Sequence, residues 1–170
     1  IRRIPNGVYR GEGKVFYDGR HPGSEFTIRV TITVADEDIA FDYAGTDPQT
    51  NGFVNGTYTS SASATILTFL QMVNPDIPHN EGMIRPLSIL IPEGTILNAS
   101  YPKATTFGNH LCPPNADAIQ KALAQAIPDR VSAGWNHLLC SLTTGRNPRR
   151  DEDYVDICFM GLKGGSGAMQ

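Results

Sequence analysis

Phe26-Thr27-Ile28-Arg29-Val30-Thr31-Ile32-Thr33-Val34 is the stretch on which the fold turns. Its apolar residues fall at every second position, with Thr and Arg between them. A period of two belongs to a strand with one face buried, and the β-branched content favours the same state. Asp36-Glu37-Asp38 interrupts the run as a polar turn. Ile39, Phe41 and Tyr43 then resume the alternation, so the two runs predict a hairpin. Upstream, Gly7 to Tyr17 reads as a third strand, with Asp18 to Ser24 as its turn.

Downstream the pattern changes. Gly45, Pro48, Gly52 and Gly56, with Asn51 and Asn55, make Gly45 to Gly56 a structured loop. Ala62, Ile66, Phe69, Leu70 and Val73 have the spacing of one helical face, with Ser60 or Ser61 as the cap and Pro75 as the stop. Pro78 to Gly82 is a turn, and Leu87 to Ile91 is a short strand ended by Pro92. A second helix is expected from about Asn115, as cap, to Ile127, with Ala118, Ile119, Ala122, Leu123 and Ala126 as its buried stripe and Pro128 behind it. Two further strands are expected at Leu138 to Thr143 and Tyr154 to Gly161. The order predicts an α+β fold with mixed, largely antiparallel sheets and two main helices. Residues 1–56 are mainly β and 57–170 are α+β, with no linker or repeat between them.

Composition bounds the function. The 170 residues are 40% hydrophobic and 18% charged, which is globular and not disordered. The formal net charge is -3, and the one basic cluster, Arg146, Arg149 and Arg150, runs into Asp151-Glu152-Asp153. That is a solvated loop, and it excludes nucleic acid as the expected partner. No apolar run reaches the length of a membrane span and no signal-peptide pattern opens the chain. Cys112, Cys140 and Cys158, odd in number and widely spaced, fit reduced thiols, so a cytoplasmic location is expected. Ile1 at the start and Gly164-Gly165-Ser166-Gly167-Ala168 at the end suggest a piece of a larger subunit.

Candidate chemistry is sparse. His110, Cys112, His137 and Cys140 match no common zinc spacing, and packing roles are the better reading. His110-Leu111-Cys112 would share a face if it were a strand, but the pair has little specificity as a catalytic thiol. Ser166 lacks the flanks of a nucleophile elbow. Gly161 to Gly167 is neither a phosphate loop nor a dinucleotide fingerprint. Asp42, Gln49, Asn55, Asn80, Arg85 and Asn109 sit beside Gly or Pro, in positions that either line sites or satisfy their own turns.

Four strings narrow the function. Asp42-Tyr43-Ala44-Gly45-Thr46-Asp47-Pro48-Gln49, continuing to Gly52-Phe53-Val54-Asn55, resembles the D-F-S-G-T-x-P-Q…G-x-x-N signature of the hydantoinase B family. Pro75-Asp76-Ile77-Pro78-His79-Asn80-Glu81-Gly82, with Arg85-Pro86 and Pro92-Glu93-Gly94-Thr95-Ile96-Leu97-Asn98, is similar to the family's P-D-I-P-x-N-x-G…R-P and P-E-G-S-x-L-N segments. Gly108-Asn109, with Ala122 to Val131, resembles G-N…A-L-A-x-A-x-P-x-R-V. The last, Gly164 to Ala168, resembles G-G-x-G-A. His110 to Asn115 departs from the short acidic stretch that many relatives carry.

The resemblance implies a B-type subunit of an ATP-dependent cyclic-amide hydrolase acting on hydantoin, oxoproline or a lactam. A hydantoinase-A-type ATPase subunit or domain, holding ATP and Mg, would phosphorylate the substrate in a hetero-oligomer, and the B-type subunit would complete ring opening. Ketone carboxylase relatives imply an alternative in which a phosphorylated enol takes up carbon dioxide. It further implies a divalent metal (Zn, Mn or Fe) held by His and Asp in an upstream segment, since no H-x-x-D pair occurs here; none is expected in this chain, which alone should be inactive. From residue chemistry and loop position, Asn55, Asn80, Arg85, Asn109 and His110 are the expected substrate-side contacts, Arg85 facing an anionic intermediate through its forked donors. No acid, base or nucleophile stands out, so a non-catalytic assembly domain is the third reading.

Overall fold

The computed structural model describes residues 1–74, 76–78, 80–134 and 140–159. Its elements are β1 (Gly7–Val15), β2 (Phe26–Ala35), β3 (Asp38–Asp42), α1 (Tyr58–Val73), α2 (Glu81–Ile84), β4 (Leu87–Leu90), α3 (Cys112–Leu123), β5 (Cys140–Asn147) and β6 (Glu152–Phe159). β1 to β4 form one sheet in that order, antiparallel except for the parallel β3–β4 pair. β5 and β6 form a separate antiparallel hairpin. The α+β class with largely antiparallel sheets and two main helices is therefore observed.

The alternation read from the sequence sets the layers. Ile28, Val30, Ile32 and Val34 of β2 and Ile39 and Phe41 of β3 are buried, while Arg29 and Thr33 are exposed. α1 and α3 cover the apolar face, α1 through Phe69 and Met72 and α3 through Ala118, Ile119, Ala122 and Leu123. The Phe41 and Phe69 rings meet edge-on with centroids 5.6 Å apart, fixing α1 to β3. On β1 the inward positions include Gly11 and Gly13, where a Cβ would lie 2.0 Å from Ala118 O and 1.9 Å from Pro114 O. Only glycine lets α3 come that close. Once there, Lys121 Nζ donates to Glu12 O (3.0 Å) and Gln125 Nε2 to Arg10 O (2.8 Å), satisfying carbonyls on the open edge of β1.

Several expected boundaries move. α1 is capped by Thr57, not by Ser60 or Ser61: Thr57 has extended backbone (φ -98, ψ 157) and accepts from Ser60 N–H (3.3 Å). Ser61 is buried in the helix and donates to Leu97 O. α3 begins at Cys112, three residues before the expected cap at Asn115, because Pro113 and Pro114 occupy a first turn whose N–H groups need no helical partner. It ends at Leu123 rather than Ile127, and Ala126 and Ile127 N–H both turn back to Leu123 O. The expected turn at Pro78 to Gly82 instead runs into α2, capped by Asn80. Of the last two strands, β5 occupies Cys140–Asn147, running past the expected end at Thr143, and β6 occupies Glu152–Phe159; the expected residues Leu138, Leu139, Met160 and Gly161 lie outside the described residues. Arg146 at the hairpin tip pairs with Asp151 (2.9 Å) and Asp153 (3.1 Å) in full solvent, as a solvated run should. Pro75, Trp135 to His137, and Gly161 to Ala168 lie outside the described residues. Among the described residues no helix is long and apolar enough to cross a membrane.

Candidate functional site

The residues beyond the C-terminal ends of β3 and β4 are built from the same strings that carried the sequence resemblance. Loop 43–56 lies alongside loop 91–100: Gln49 N–H donates to Gly94 O (2.8 Å), Ile96 N–H to Asp47 O (3.0 Å), Gly56 N–H to Ile96 O (2.7 Å) and Ala99 N–H to Gly56 O (3.0 Å). Gln49 Oε1 accepts from Ser100 N–H (2.7 Å). The third string closes on these two. Phe107 N–H donates to Phe53 O (3.0 Å), and a Cβ at Gly108 would lie 2.7 Å from Asn55 O. Three stretches separated by up to about fifty residues thus form one loop cluster.

Asn55 is the centre of that cluster. It is fully buried, and its amide is used entirely by backbone: Oδ1 accepts from Thr50 N–H (2.7 Å), and Nδ2 faces Thr50 O (3.2 Å), Gly52 O (3.3 Å) and Ala104 O (2.9 Å). It ties its own loop, at Thr50 and Gly52, to the stretch at Ala104 and has no group left to offer a ligand. Asn109 and His110 sit half-buried on the short 3-10 turn Gly108–Leu111 at the margin of the cluster. The His110 ring meets Phe107 edge-on at 5.3 Å, and Phe107 lies 5.4 Å from Phe53. Burial pushes the His110 imidazole below its ordinary value, towards the neutral base. Cys112 begins α3, so His110 and Cys112 are not two residues of a strand and do not share its face. Burial raises the Cys112 thiol, with the Ser60 hydroxyl opposing, which keeps it protonated.

Asn80 and Arg85 lie elsewhere. Asn80 caps α2 by accepting from Gly82 N–H (2.9 Å), and Arg85 follows α2, exposed. Pro86 O accepts from Ile39 N–H (3.0 Å), which puts Arg85 at the start of the β3–β4 pair. Tyr43 N–H donates to Leu90 O (3.0 Å) at the opposite end, about 13 Å away at the rise of a strand. There Arg85 lines an open cleft of about 510 Å³ with Ile1, Arg2, Glu37, Asp38 and Pro86. The five expected contact residues therefore divide: Asn55, Asn109 and His110 together, Asn80 and Arg85 apart from them.

Two arrangements escaped the sequence reading. The first is a buried polar triad. Tyr43 Oη donates to Asn115 Oδ1 (2.8 Å) and lies 2.7 Å from Thr65 Oγ1, while Asn115 Nδ2 donates to Ser61 O and Thr65 Oγ1 (3.3 Å each). It ties the end of β3 to both helices, and burial pushes the Tyr43 phenol far above its ordinary value, so it stays a neutral donor. The second is Asp18, almost fully buried in the turn expected at Asp18 to Ser24. Its carboxylate accepts from Arg20 N–H (2.9 Å), His21 N–H (2.7 Å), His21 Nδ1 (2.7 Å) and Thr50 Oγ1. Burial alone would raise its pKa, but the bonds from His21, Thr50 and the backbone outweigh it and hold the group far below the usual carboxylate range. Because the folded value lies below the unfolded one, its stabilisation is complete above about pH 4 and is lost as pH falls toward the folded value. The available signal was Asp18-Gly19-x-His21, an Asp at the head of a glycine turn with a titratable side chain three residues on.

Thr57, Thr59 and Ser60 supply hydroxyls at the start of α1, and neither α1 nor α3 has an acidic residue in its first turn. That surrounding favours an anion over a cation. Among the described residues no three His, Cys, Asp or Glu side chains converge as a metal site; His137 and the Cys140 side chain lie outside the described residues.

The hydantoinase B/oxoprolinase family model matches residues 1–170. The caprolactamase subunit beta of Pseudomonas jessenii is 31% identical over 174 residues, covering 99% of this chain and 29% of that protein. The crystal structure of the ATP-dependent caprolactamase from Pseudomonas jessenii superimposes with a TM-score of 0.74 at 28% identity, over 91% of this chain and 27% of that one. A nucleotide-free acetone carboxylase superimposes with a TM-score of 0.80 at 20% identity, over 98% of this chain and 24% of that one, a likeness of fold alone. The chain spans under a third of the length of these relatives.

Proposed function

The chain belongs to the hydantoinase B/oxoprolinase family, and on that premise we propose that it is part of the B-type subunit of an ATP-dependent cyclic-amide hydrolase. A hydantoinase-A-type ATPase partner, with ATP and Mg, phosphorylates the amide oxygen of a hydantoin, oxoproline or lactam in a hetero-oligomer. The B-type subunit then directs water to the activated carbon. The observation that carries this reading is the joining of the three family-like loops by backbone hydrogen bonds at Phe53 and Gly56, beside a pair of helices with no acid in their first turns. An amide carbon is a poor electrophile, and a phosphorylated amide oxygen makes it a good one. The intermediate is anionic, and hydroxyls and helix N-termini without carboxylates suit it.

Within this reading Asn109 and His110 face the substrate, and Asn55 sets the loops that present them. Arg85 serves a contact at the far cleft. The divalent metal of the family reading belongs to the upstream segment. The test uses the full-length subunit with its ATPase partner, offered a panel of lactams and hydantoins. Ring-opened product formed in step with ATP consumption, and indifferent to carbon dioxide, is expected. Substrate consumption that requires carbon dioxide, or no amide-dependent ATP turnover across the panel, overturns the proposal.

A further inference from the structure

The turn at Asp18 to Ser24 does more than reverse the chain. One oxygen of Asp18 is enough for the turn, since Oδ1 takes both backbone N–H groups, of Arg20 and His21. The second oxygen takes Thr50 Oγ1 and His21 Nδ1. Loop 50–53 comes close enough only because residue 52 is glycine, where a Cβ would lie 2.2 Å from Asp18 O and 2.5 Å from the carboxyl carbon. A carboxylate that is 1% exposed is thereby set against an imidazole whose side chain is 53% exposed. An ionised carboxylate only accepts, so the hydrogen of the neutral ring must sit on Nδ1. Nε2 is then left as a bare base, on the part of the ring that reaches solvent. A carboxylate behind one imidazole nitrogen and an open lone pair on the other is the arrangement a proton-transferring histidine needs.

We propose that His21, oriented by Asp18, is a catalytic proton-transfer residue of the loop cluster, acting on the water that opens the activated amide. This rests on the ring-opening reading above. The turn belongs to the cluster physically: Asp18 O accepts from Phe53 N–H (2.9 Å), and Gly19 lies against the Phe53 ring, which continues through Phe107 to His110. In the step, an O–H bond of water breaks and its proton goes to Nε2. The freed oxygen pair forms the bond to the activated carbon, and the C=N π pair moves onto the ring nitrogen. That nitrogen then receives the proton from Nε2. The tetrahedral carbon next re-forms a C=O bond from its new hydroxyl as the ring C–N bond breaks, the hydroxyl proton passing through Nε2 to the departing amine; the acyl phosphate left behind is hydrolysed by a second water to a carboxylate and inorganic phosphate. Asp18 and Arg20 are the charged residues of the turn that carries His21; loop 50–53 contains none, and Lys103 donates to Asn51 of that loop.

The experiment compares His21→Asn and His21→Gln in the full-length subunit with its ATPase partner. The Asn amide can replace Nδ1 as the donor to Asp18 but offers no base in place of Nε2. We expect kcat for ring opening to fall about 100-fold or more in both variants with KM and melting temperature little changed. The acidic limb of the pH–rate profile should vanish, and added imidazole should restore part of the rate to His21→Gly. A His21→Asn enzyme with wild-type kcat and an unaltered pH profile reduces the pair to a turn clamp and overturns the proposal. Absence of lactam turnover in the wild type would instead sink the ring-opening reading. In that event nitrogen-15 spectra of the imidazole judge the pair alone: hydrogen on Nδ1 supports it, and hydrogen on Nε2 at neutral pH overturns it.

Discussion

The two ends of the four-stranded sheet are built on opposite physical terms. Beyond the C-terminal ends of β3 and β4, polar side chains are buried and fully engaged: Asn55, Asn115 and Thr65 are inaccessible and Asp18 nearly so. At the other end Asn80, Arg85, Arg2 and Glu37 are exposed, and the Arg2–Glu37 pair lies in solvent. Both ends contain side-chain amides of the kind expected as ligand contacts. Burial separates them. A buried amide with every hydrogen bond used is a part of the scaffold, whereas an exposed one is free for a partner at small cost to the fold.

The sharpest way to break that contrast is at Asn55. Asn55→Ala removes the donor group that faces the Thr50, Gly52 and Ala104 carbonyls and the buried acceptor for Thr50 N–H. A loss of about 3 kcal/mol in unfolding free energy is expected, measured by urea denaturation of the full-length subunit. Asn55→Asp should be worse, because a carboxylate would face three carbonyl oxygens without a hydrogen to give. Stability within about 0.5 kcal/mol of wild type would make Asn55 a surface residue in effect and return it to the ligand contacts.

A smaller effect is expected at the buried triad. Tyr43→Phe keeps the ring in the core and deletes one hydroxyl, leaving Asn115 Oδ1 without its donor (2.8 Å). About 1–3 kcal/mol is expected from one unsatisfied buried acceptor. A neutral Tyr43→Phe would mean that Thr65 and Asn115 close on each other, and that the triad does not govern how α1 and α3 meet the sheet.

How much of this was legible follows the same line. The alternation from Phe26 to Tyr43 revealed the sheet because a two-residue period leaves one solution for which face is buried. The stripe at Ala118, Ile119, Ala122 and Leu123 found α3, but its start was missed: Asn115 looks like a cap by type, and only the packing shows it inside a helix opened by two prolines. The loop strings were legible as a set, since their Gly and Pro positions fix turns. Their convergence was not, because hydrogen bonds such as Gly56 N–H to Ile96 O join residues far apart in the chain. Asp18 was read as a turn residue, which it is. Its second oxygen, on Thr50 and His21, depends on the approach of loop 50–53, and no local pattern encodes that.

The smallest stability effect is expected at Arg85, and it sharpens the comparison most. Arg85 follows α2, exposed, and lines the 510 Å³ cleft. Arg85→Ala should change unfolding free energy by less than about 0.5 kcal/mol. Its other readout is function. If the far cleft holds the partner subunit or part of the substrate, Arg85→Ala lowers complex affinity or raises KM with the fold intact, and Arg85→Lys fails to rescue because the fork of donors is gone. Native mass spectrometry of the complex and a KM measurement separate those two outcomes. If neither moves, the open end of the sheet is bare surface, and the working contacts all lie at the end where the loops are clamped.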